Sequence, residues 1–148
     1  SAAFCWYYNN QNYKENYGAL YNWWAVKVIF LCPVGYHVPD DEEWETLINY
    51  LGGEEIAGAK LKATGTQFWI DNNIQTTNES GFTAIPGGFR FHNDGAFFSI
   101  GNAGLWWSSS PGINEDNGNR VVMFDNLSIA YLAVYNKKAG FSVRCLKD

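Results

Sequence analysis

The chain has 148 residues, enough for one domain with a single hydrophobic core. Its net charge of −5 and its pI near 4.9 argue against a nucleic-acid partner, which requires a basic surface. No apolar run approaches the ~18 residues of a membrane span, so we expect no direct membrane insertion. Aromatic residues make up 18% of the chain, more than one small core needs, which predicts that some rings lie at a binding surface.

The first half of the chain has the pattern of helices. Apolar residues at helical spacing predict a first helix from Asn16 to Val26. A second helix is predicted to begin with a capping box of Asp40 and Glu43 and to end at Gly52-Gly53. Its apolar stripe consists of Trp44, Leu47, Ile48 and Leu51. A third helix is predicted from Glu54 to Lys62, with acidic residues at its start and lysines at its end.

The second half has the pattern of strands, because Gly, Asn and Ser separate short apolar runs. These runs are Phe82–Ile85, Phe97–Ile100, Leu105–Ser108, Arg120–Asp125, Ala130–Tyr135 and Phe141–Leu146. Helices followed by strands indicate an α+β domain, with the helices packed on one side of an antiparallel sheet. No linker or repeat divides the chain, so we expect residues 1–148 to form a single domain.

Two distant blocks of sequence resemble one protein family. They are CPVGYHVPDDEEW, which begins at Cys32, and GFSVRC, which begins at Gly140. Matching blocks between them, and just before the first, include YGALYNWWAV, NYLGG, AGAKLK, NESGFTAIPGGFR and WWSSS. The chain is similar to the Fibrobacter succinogenes major paralogous domain, a module of secreted bacterial proteins. This resemblance implies a C-type-lectin-like fold, with two to three N-terminal helices on a twisted antiparallel sheet with long loops. It also implies an extracytoplasmic location and, since relatives have more chain before this point, a place at the C-terminal end of a longer protein.

Three cysteines allow three single pairings and leave one thiol over. The resemblance implies that Cys32 and Cys145 form a disulfide and that Cys5 is free. The alternative is a cytosolic protein with three reduced thiols.

No pattern of catalytic or metal-binding residues stands out. His37 and His92 are the only histidines, and neither has the spacing of a metal ligand. The acidic run from Asp40 to Glu43 is typical of a helix start, and the loop at 114–119 lacks the ligand order of a calcium loop. Formylglycine-generating enzymes share the implied fold but depend on a close pair of catalytic cysteines. We therefore expect no enzyme activity, no cofactor and no metal.

Residues 117–136 have an unusual composition, with no Lys, Glu, Gln or Trp. Some relatives of the resembled family are target proteins of diversity-generating retroelements, which randomise the adenines of asparagine codons just before a GFSVRC-like end. Apart from Met123, every residue of this segment belongs to the set that such codons can produce. Met123 stands where relatives usually have a fixed leucine.

The same segment is apolar on both faces, because apolar residues occupy consecutive positions in Val121–Phe124 and Ile129–Tyr135. A one-sided sheet would alternate, so one apolar face is left for a ligand, a partner chain or a second layer. Ordinary core strands are the alternative interpretation. With Val121 and Met123 pointing inward, the period of two turns Arg120, Val122 and Phe124 outward. The resemblance aligns Ala130 and Leu132 with fixed positions of relatives, which implies that Tyr131, Ala133 and Tyr135 face outward as well. It also adds Trp106 to this exposed face and assigns Trp107 to the core. The predicted ligand-binding residues are Trp106, Arg120, Val122, Phe124, Asn126, Ile129, Tyr131, Ala133 and Tyr135.

These observations favour a non-enzymatic extracellular recognition domain that binds a protein receptor or a glycan on a target surface. We expect it to be the variable protein of a diversity-generating retroelement, displayed on a bacterial surface or a phage particle, with its binding surface in residues 105–136. The alternative is a carbohydrate-binding or adhesin module of a bacterial surface lipoprotein, with Trp106 and the tyrosines as stacking platforms. A formylglycine-generating-type enzyme is a distant alternative.

Overall fold

The computed structural model of the protein describes residues 1–71 and 74–148. Its α-helices and strands, in chain order, are β1 (Phe4–Cys5), α1 (Lys14–Tyr17), β2 (Leu20–Tyr21), α2 (Trp23–Val26), β3 (Tyr36–His37), α3 (Asp41–Tyr50), α4 (Glu54–Leu61), β4 (Gly87–Arg90), β5 (Phe97–Ile100), β6 (Ala103–Pro111), β7 (Asn117–Phe124), β8 (Tyr131–Asn136) and β9 (Leu146–Lys147). Two short 3-10 helices, Tyr7–Asn9 and Gln11–Tyr13, lie between β1 and α1. Short helices and small antiparallel sheets together confirm the α+β class.

The sheet structure is more divided than the predicted single sheet. Strands β6, β7 and β8 form a three-stranded antiparallel sheet in that order. The pairs β1–β2, β3–β9 and β4–β5 each form a two-stranded antiparallel sheet. The three-stranded sheet is the central layer, because both of its faces are covered by buried side chains.

Two separate cores lie on the two faces of this sheet. The first core joins the sheet to α3 and α4, and consists of Trp44, Ile48, Leu51, Ala57, Leu61, Ala63, Trp69, Ala84, Trp106, Val121, Met123 and Ala130. The second core joins the sheet to α2 and the chain around Phe141, and consists of Trp23, Val26, Val38, Ala103, Leu105, Trp107, Val122, Ala139 and Phe141. The prediction that all helices pack on one side is therefore wrong, because α2 belongs to the second core.

Helices α3 and α4 form where the sequence predicted them. The Asp40 side chain accepts a hydrogen bond from the Glu43 N–H, and the Glu43 carboxylate accepts one from the Asp40 N–H, so the predicted capping box is confirmed. Trp44 and Ile48 of the apolar stripe are buried in the first core. The prediction of a helix that ends near Gly52 is confirmed, because the apolar spacing and the caps are local signals.

The predicted helix from Asn16 to Val26 is wrong. Gly18 has a φ of 71°, which ends α1, and a short strand follows at β2. A new helix then starts at α2, where the Asn22 side chain accepts a hydrogen bond from the Ala25 N–H. The apolar spacing reflects burial on different elements rather than one continuous helical face.

Two of the predicted strands do not form continuous strands. Phe82–Ile85 forms only one isolated bridge, between Ala84 and Lys62, because Thr83 has a φ of 55° and breaks the extended run. The terminal run Phe141–Leu146 is likewise not one strand. It makes isolated bridges, between Phe141 and Tyr21 and between Ser142 and Trp106, and only its last residue enters β9. This segment connects several sheets instead of extending one.

The predicted disulfide is confirmed. Cys32 and Cys145 are bonded, which closes a loop of 113 residues, and Cys5 is the free cysteine. The bond holds the chain between α2 and β3 to the chain just before β9. Closing a loop of this length stabilises the fold by about 4–5 kcal/mol in the chain-entropy model.

Candidate functional site

The strand register places most of the predicted ligand-binding residues on one face of the central sheet. Arg120 lies opposite Ala133 on one side and opposite Trp107 on the other. Val122 lies opposite Tyr131, and directly opposite residues of antiparallel strands point to the same face. The residues that share this face are Arg120, Val122, Phe124, Tyr131, Ala133 and Tyr135. It is the face that carries the second core.

Two of the predicted surface residues are buried. Val122 is 1% exposed, because it is buried within the second core. Trp106 is 2% exposed and lies on the opposite face, where its ring packs edge-to-face on Phe82 at 5.8 Å. The prediction that both side chains are exposed is therefore wrong. The sequence left a ligand, a partner chain or a second layer as the cover of the second apolar face. A second layer of this chain covers the central part of that face.

A half-buried aromatic surface remains around the covered part. Five of the predicted residues are only partly covered, and we call them the open face: Arg120, Phe124, Tyr131, Ala133 and Tyr135. The hairpin of β4 and β5 extends this surface, since Phe89 lies 6.4 Å from the Tyr135 ring, between ring centroids. Phe89 and His92 are the main additions that the sequence analysis did not predict.

Arg120 is the most unusual residue of the open face. Its guanidinium carbon lies 4.9 Å from the centroid of the Tyr135 ring and 5.6 Å from that of Phe141. Its Nη1 donates a long hydrogen bond of 3.4 Å to the Ala133 carbonyl, and its Nε is buried without a partner. Burial lowers the pKa of Arg120, while the neighbouring Tyr131 and Tyr135 oppose that effect. The ring faces thus stabilise a partly desolvated cation.

His92 is a second polar group with an unused nitrogen. Its ring lies 5.5 Å from the Tyr135 ring, nearly perpendicular to it, and 4.5 Å from the Phe91 ring. Its Nδ1 is buried and has no hydrogen-bond partner among residues 1–71 and 74–148. Tyr135 therefore contacts two side chains, Arg120 and His92, that each leave a buried nitrogen unpaired. Native proteins leave few such groups, so each calls for an explanation.

The profile of the Fibrobacter succinogenes major domain matches residues 1–147. The chain belongs to this family. No curated protein and no solved structure matches the chain.

The loop between β7 and β8 of this Fibrobacter-type domain carries the other two predicted residues, Asn126 and Ile129. Asn126 is exposed and Ile129 is partly buried. The loop is held against α4 by a hydrogen bond from the Ala130 N–H to the Glu54 carbonyl. A Cβ on Gly58 would collide with the Ile129 carbonyl oxygen, so a glycine is needed where the loop crosses α4.

Lys62 anchors the start of the same loop and was not recognised in the sequence. Its side chain is fully buried, donates to the carbonyls of Phe124 and Leu127, and lies 4.8 Å from the Trp69 ring. Burial lowers its pKa to about 8, with Asp125 opposing the effect. A lysine at a predicted helix end is usually exposed, so its sequence position gave no signal of this role.

His37 in β3 and the acidic residues at the start of α3 form hydrogen bonds with other parts of the chain. His37 contacts Asp148 at 2.6 Å and Glu43 at 2.8 Å, and these hydrogen bonds raise the pKa of His37. The Asp41 carboxylate accepts hydrogen bonds from Ser108 and Asn119. These contacts tie the start of α3 to β6, β7 and the C-terminal end of the chain.

Within residues 1–71 and 74–148, no group of three or more His, Cys, Asp and Glu side chains is placed to hold a metal ion. No helix in this described part of the chain is long and apolar enough to cross a membrane.

Proposed function

We propose that this domain is a non-enzymatic, extracytoplasmic recognition domain with a C-type-lectin-like fold, and that it binds its partner through the open face. The observation that carries the proposal is Arg120, a half-buried cation that stacks on Tyr135 and keeps unpaired donors. Arginine and tyrosine are enriched among the residues that dominate binding energy at protein interfaces. The adjoining loop supplies further exposed positions at Asn126 and Leu127.

The proposal includes diversification of residues 117–136 by a retroelement. The composition of the segment supports it, since only Met123 lies outside the outcomes of randomised asparagine codons. Met123 is fully buried in the first core, where a fixed residue serves the scaffold. The half-buried positions of Arg120 and Tyr131 and the exposed position of Asn126 suit variation better, because substitutions outside cores cost less stability.

An extracytoplasmic location is part of the same proposal. The disulfide between Cys32 and Cys145 supports it, because such bonds persist mainly in oxidising compartments. The same bond weighs against a formylglycine-generating-type enzyme. With Cys5 as the remaining thiol, the chain has no close pair of free cysteines for that chemistry.

A carbohydrate-binding module is the second candidate, and one observation favours it. Tyr8 is 60% exposed, adopts a φ of 53°, and packs its ring against Tyr13 and Phe97. Exposed rings of this kind can stack on the apolar face of a sugar. Trp106 cannot act as the platform from its buried position. A glycan array probed with the domain and with a Tyr8→Ala variant tests this candidate.

The experiment for the main proposal is deep sequencing of this locus from a population of the host or its phage. Diversification predicts substitutions in the codons for residues 117–136 at the positions where the unvaried copy of the segment has adenine, with codon 123 unchanged. It also predicts a near-copy of this coding segment and a reverse transcriptase gene nearby. Substitutions spread evenly over the gene, with no such copy, would show that the surface is fixed.

A further inference from the structure

The three arginines of the chain are all placed over aromatic rings, but only one of them leaves a buried nitrogen unpaired. Arg144 donates from Nη1 and Nη2 to the carbonyls of Phe82 and Thr83, at 2.9 and 3.1 Å. Arg90 donates from Nε to the Gly95 carbonyl at 3.2 Å. Arg120, in contrast, makes one hydrogen bond of 3.4 Å.

Arg120 also lacks an anion. The chain carries 15 acidic residues against 10 lysines and arginines, yet none of the ion pairs in the described part of the chain includes Arg120. Removing a cation from water is costly unless an anion or hydrogen bonds compensate. The rings of Tyr135 and Phe141 compensate in part. The remaining donors, Nε and Nη2, make no hydrogen bond in the described structure, and Nη2 is not among its buried atoms.

We propose that Arg120 is the anchor for a carboxylate of the partner, and that this carboxylate belongs to an Asp or Glu side chain of a protein receptor. The inference rests on the proposed recognition function and names the chemistry of its ligand. The Arg120 Nη2, which is neither hydrogen-bonded nor buried in the described part of the chain, can donate a charge-assisted hydrogen bond to a carboxylate oxygen. A partly desolvated position strengthens that attraction relative to open solvent.

The surroundings of Arg120 favour a protein over an acidic glycan as the source of the carboxylate. Sugars stack on flat rings that are open to solvent, whereas Tyr131 and Tyr135 are half-buried, so only part of each side chain is accessible. A half-buried tyrosine beside an arginine is typical of the anchor residues at protein interfaces.

The test uses the full domain with ¹⁵N-labelled arginine, whose three Nε–H signals are followed by NMR. The probes are a blocked tetraglutamate peptide, a blocked tetraglutamine peptide and tetragalacturonate, which carries the same number of carboxylates as tetraglutamate. Arg120→Lys identifies the Arg120 signal, and the signals of Arg90 and Arg144 serve as internal references. Both references have their Nε or terminal nitrogens bonded to carbonyls, so they should move little.

We expect tetraglutamate to shift the Arg120 signal at millimolar concentration, tetragalacturonate to bind more weakly, and tetraglutamine to have no effect. Binding of tetraglutamate is also measured from the backbone amide shifts of β7 and β8. Arg120→Gln should weaken this binding at least about tenfold. Any other order of the three probes, or equal shifts of all three arginines, overturns the inference. This outcome is independent of the sequencing test, so the carboxylate anchor can fail while the proposed recognition surface stands.

Discussion

Trp106 and Trp107 are neighbours in β6, and each is buried in a different core. The Trp106 ring meets Phe82 on the side of α3 and α4, whereas Trp107 packs against Phe141 at 4.5 Å. The Trp107 Nε1 donates to the Tyr21 carbonyl at 2.6 Å, which ties β2 to the second face of the sheet. Adjacent strand residues point to opposite faces, so two buried tryptophans in a row require a sheet covered on both sides.

Two valines on neighbouring strands test whether the second face is core. Val122 in β7 is 1% exposed, and Val134 in β8 is 42% exposed. Val122→Ser should lower the free energy of unfolding by about 2–4 kcal/mol, because it removes buried methyl groups and buries a hydroxyl. Val134→Ser is the matched control, with an expected change within about 0.5 kcal/mol. Equal losses in urea denaturation would mean that the second face is not a closed core.

A pair of tryptophans tests the first core in the same way. Trp44 is 2% exposed and lies in α3, and Trp24 in α2 is 37% exposed. Trp44→Ala should cost about 3–5 kcal/mol, the range for truncation of a buried Trp. Trp24→Ala should cost about 1 kcal/mol or less, since its ring is partly in solvent. Chemical denaturation of both variants gives the comparison, and a loss below about 1 kcal/mol for Trp44→Ala would contradict the assignment.

The sequence predicts the local parts of this fold better than the long-range parts. Helix α3 was predictable because its cap and its apolar stripe lie within the helix itself. The run that begins at Phe141 has strand-like residues, but Phe141 and Ser142 bond to the backbone of β2 and β6, which no local pattern reveals. The apolar residues on both faces of β7 did predict that something covers the second face of the sheet. Whether a ligand or another layer of this chain covers the second face depends on which distant segments pack there, and this is a tertiary property.

In the candidate site, too, the local features were predicted better than the long-range contacts. The period of two placed Arg120 on this face and the family resemblance placed Tyr131 there, and the strand register agrees with both placements. The burial of the Arg120 Nε depends on tertiary contacts, since the Arg120 guanidinium lies over the rings of Tyr135 and Phe141. Lys62 was missed for a similar reason, since its carbonyl partners lie more than 60 residues away in the chain.

The disulfide leads to a prediction about thiol chemistry and stability. In the native oxidised protein, thiol labelling should modify Cys5 alone, since Cys32 and Cys145 are bonded. Replacement of both bonded cysteines by Ala should lower the free energy of unfolding by about 4–5 kcal/mol, because the loop between them is long. Cys5→Ser is the control and should leave stability nearly unchanged. Labelling of all three cysteines after unfolding without reductant would rule the bond out.

Lys62 gives the domain a pH dependence in the alkaline range. Its folded pKa is about 8, below the value of about 10.4 for an unperturbed lysine in the unfolded chain. Between these values the unfolded state holds more protons than the folded state, so the contribution of Lys62 to stability rises with pH. Tyr7 has the opposite effect at higher pH, because burial raises its folded pKa to about 12.

The measurement compares the wild type with Lys62→Met from pH 7 to pH 10. Both proteins contain Tyr7, so the difference between their free energies of unfolding isolates Lys62, and it should rise in favour of the wild type above pH 8. If the variant does not fold, because the carbonyls of Phe124 and Leu127 lose their donor, the Lys62 Nζ can be titrated directly by NMR in the wild type. A midpoint near 8 is expected, and a midpoint above 10 would show that Lys62 is solvated and does not anchor the loop beside the open face.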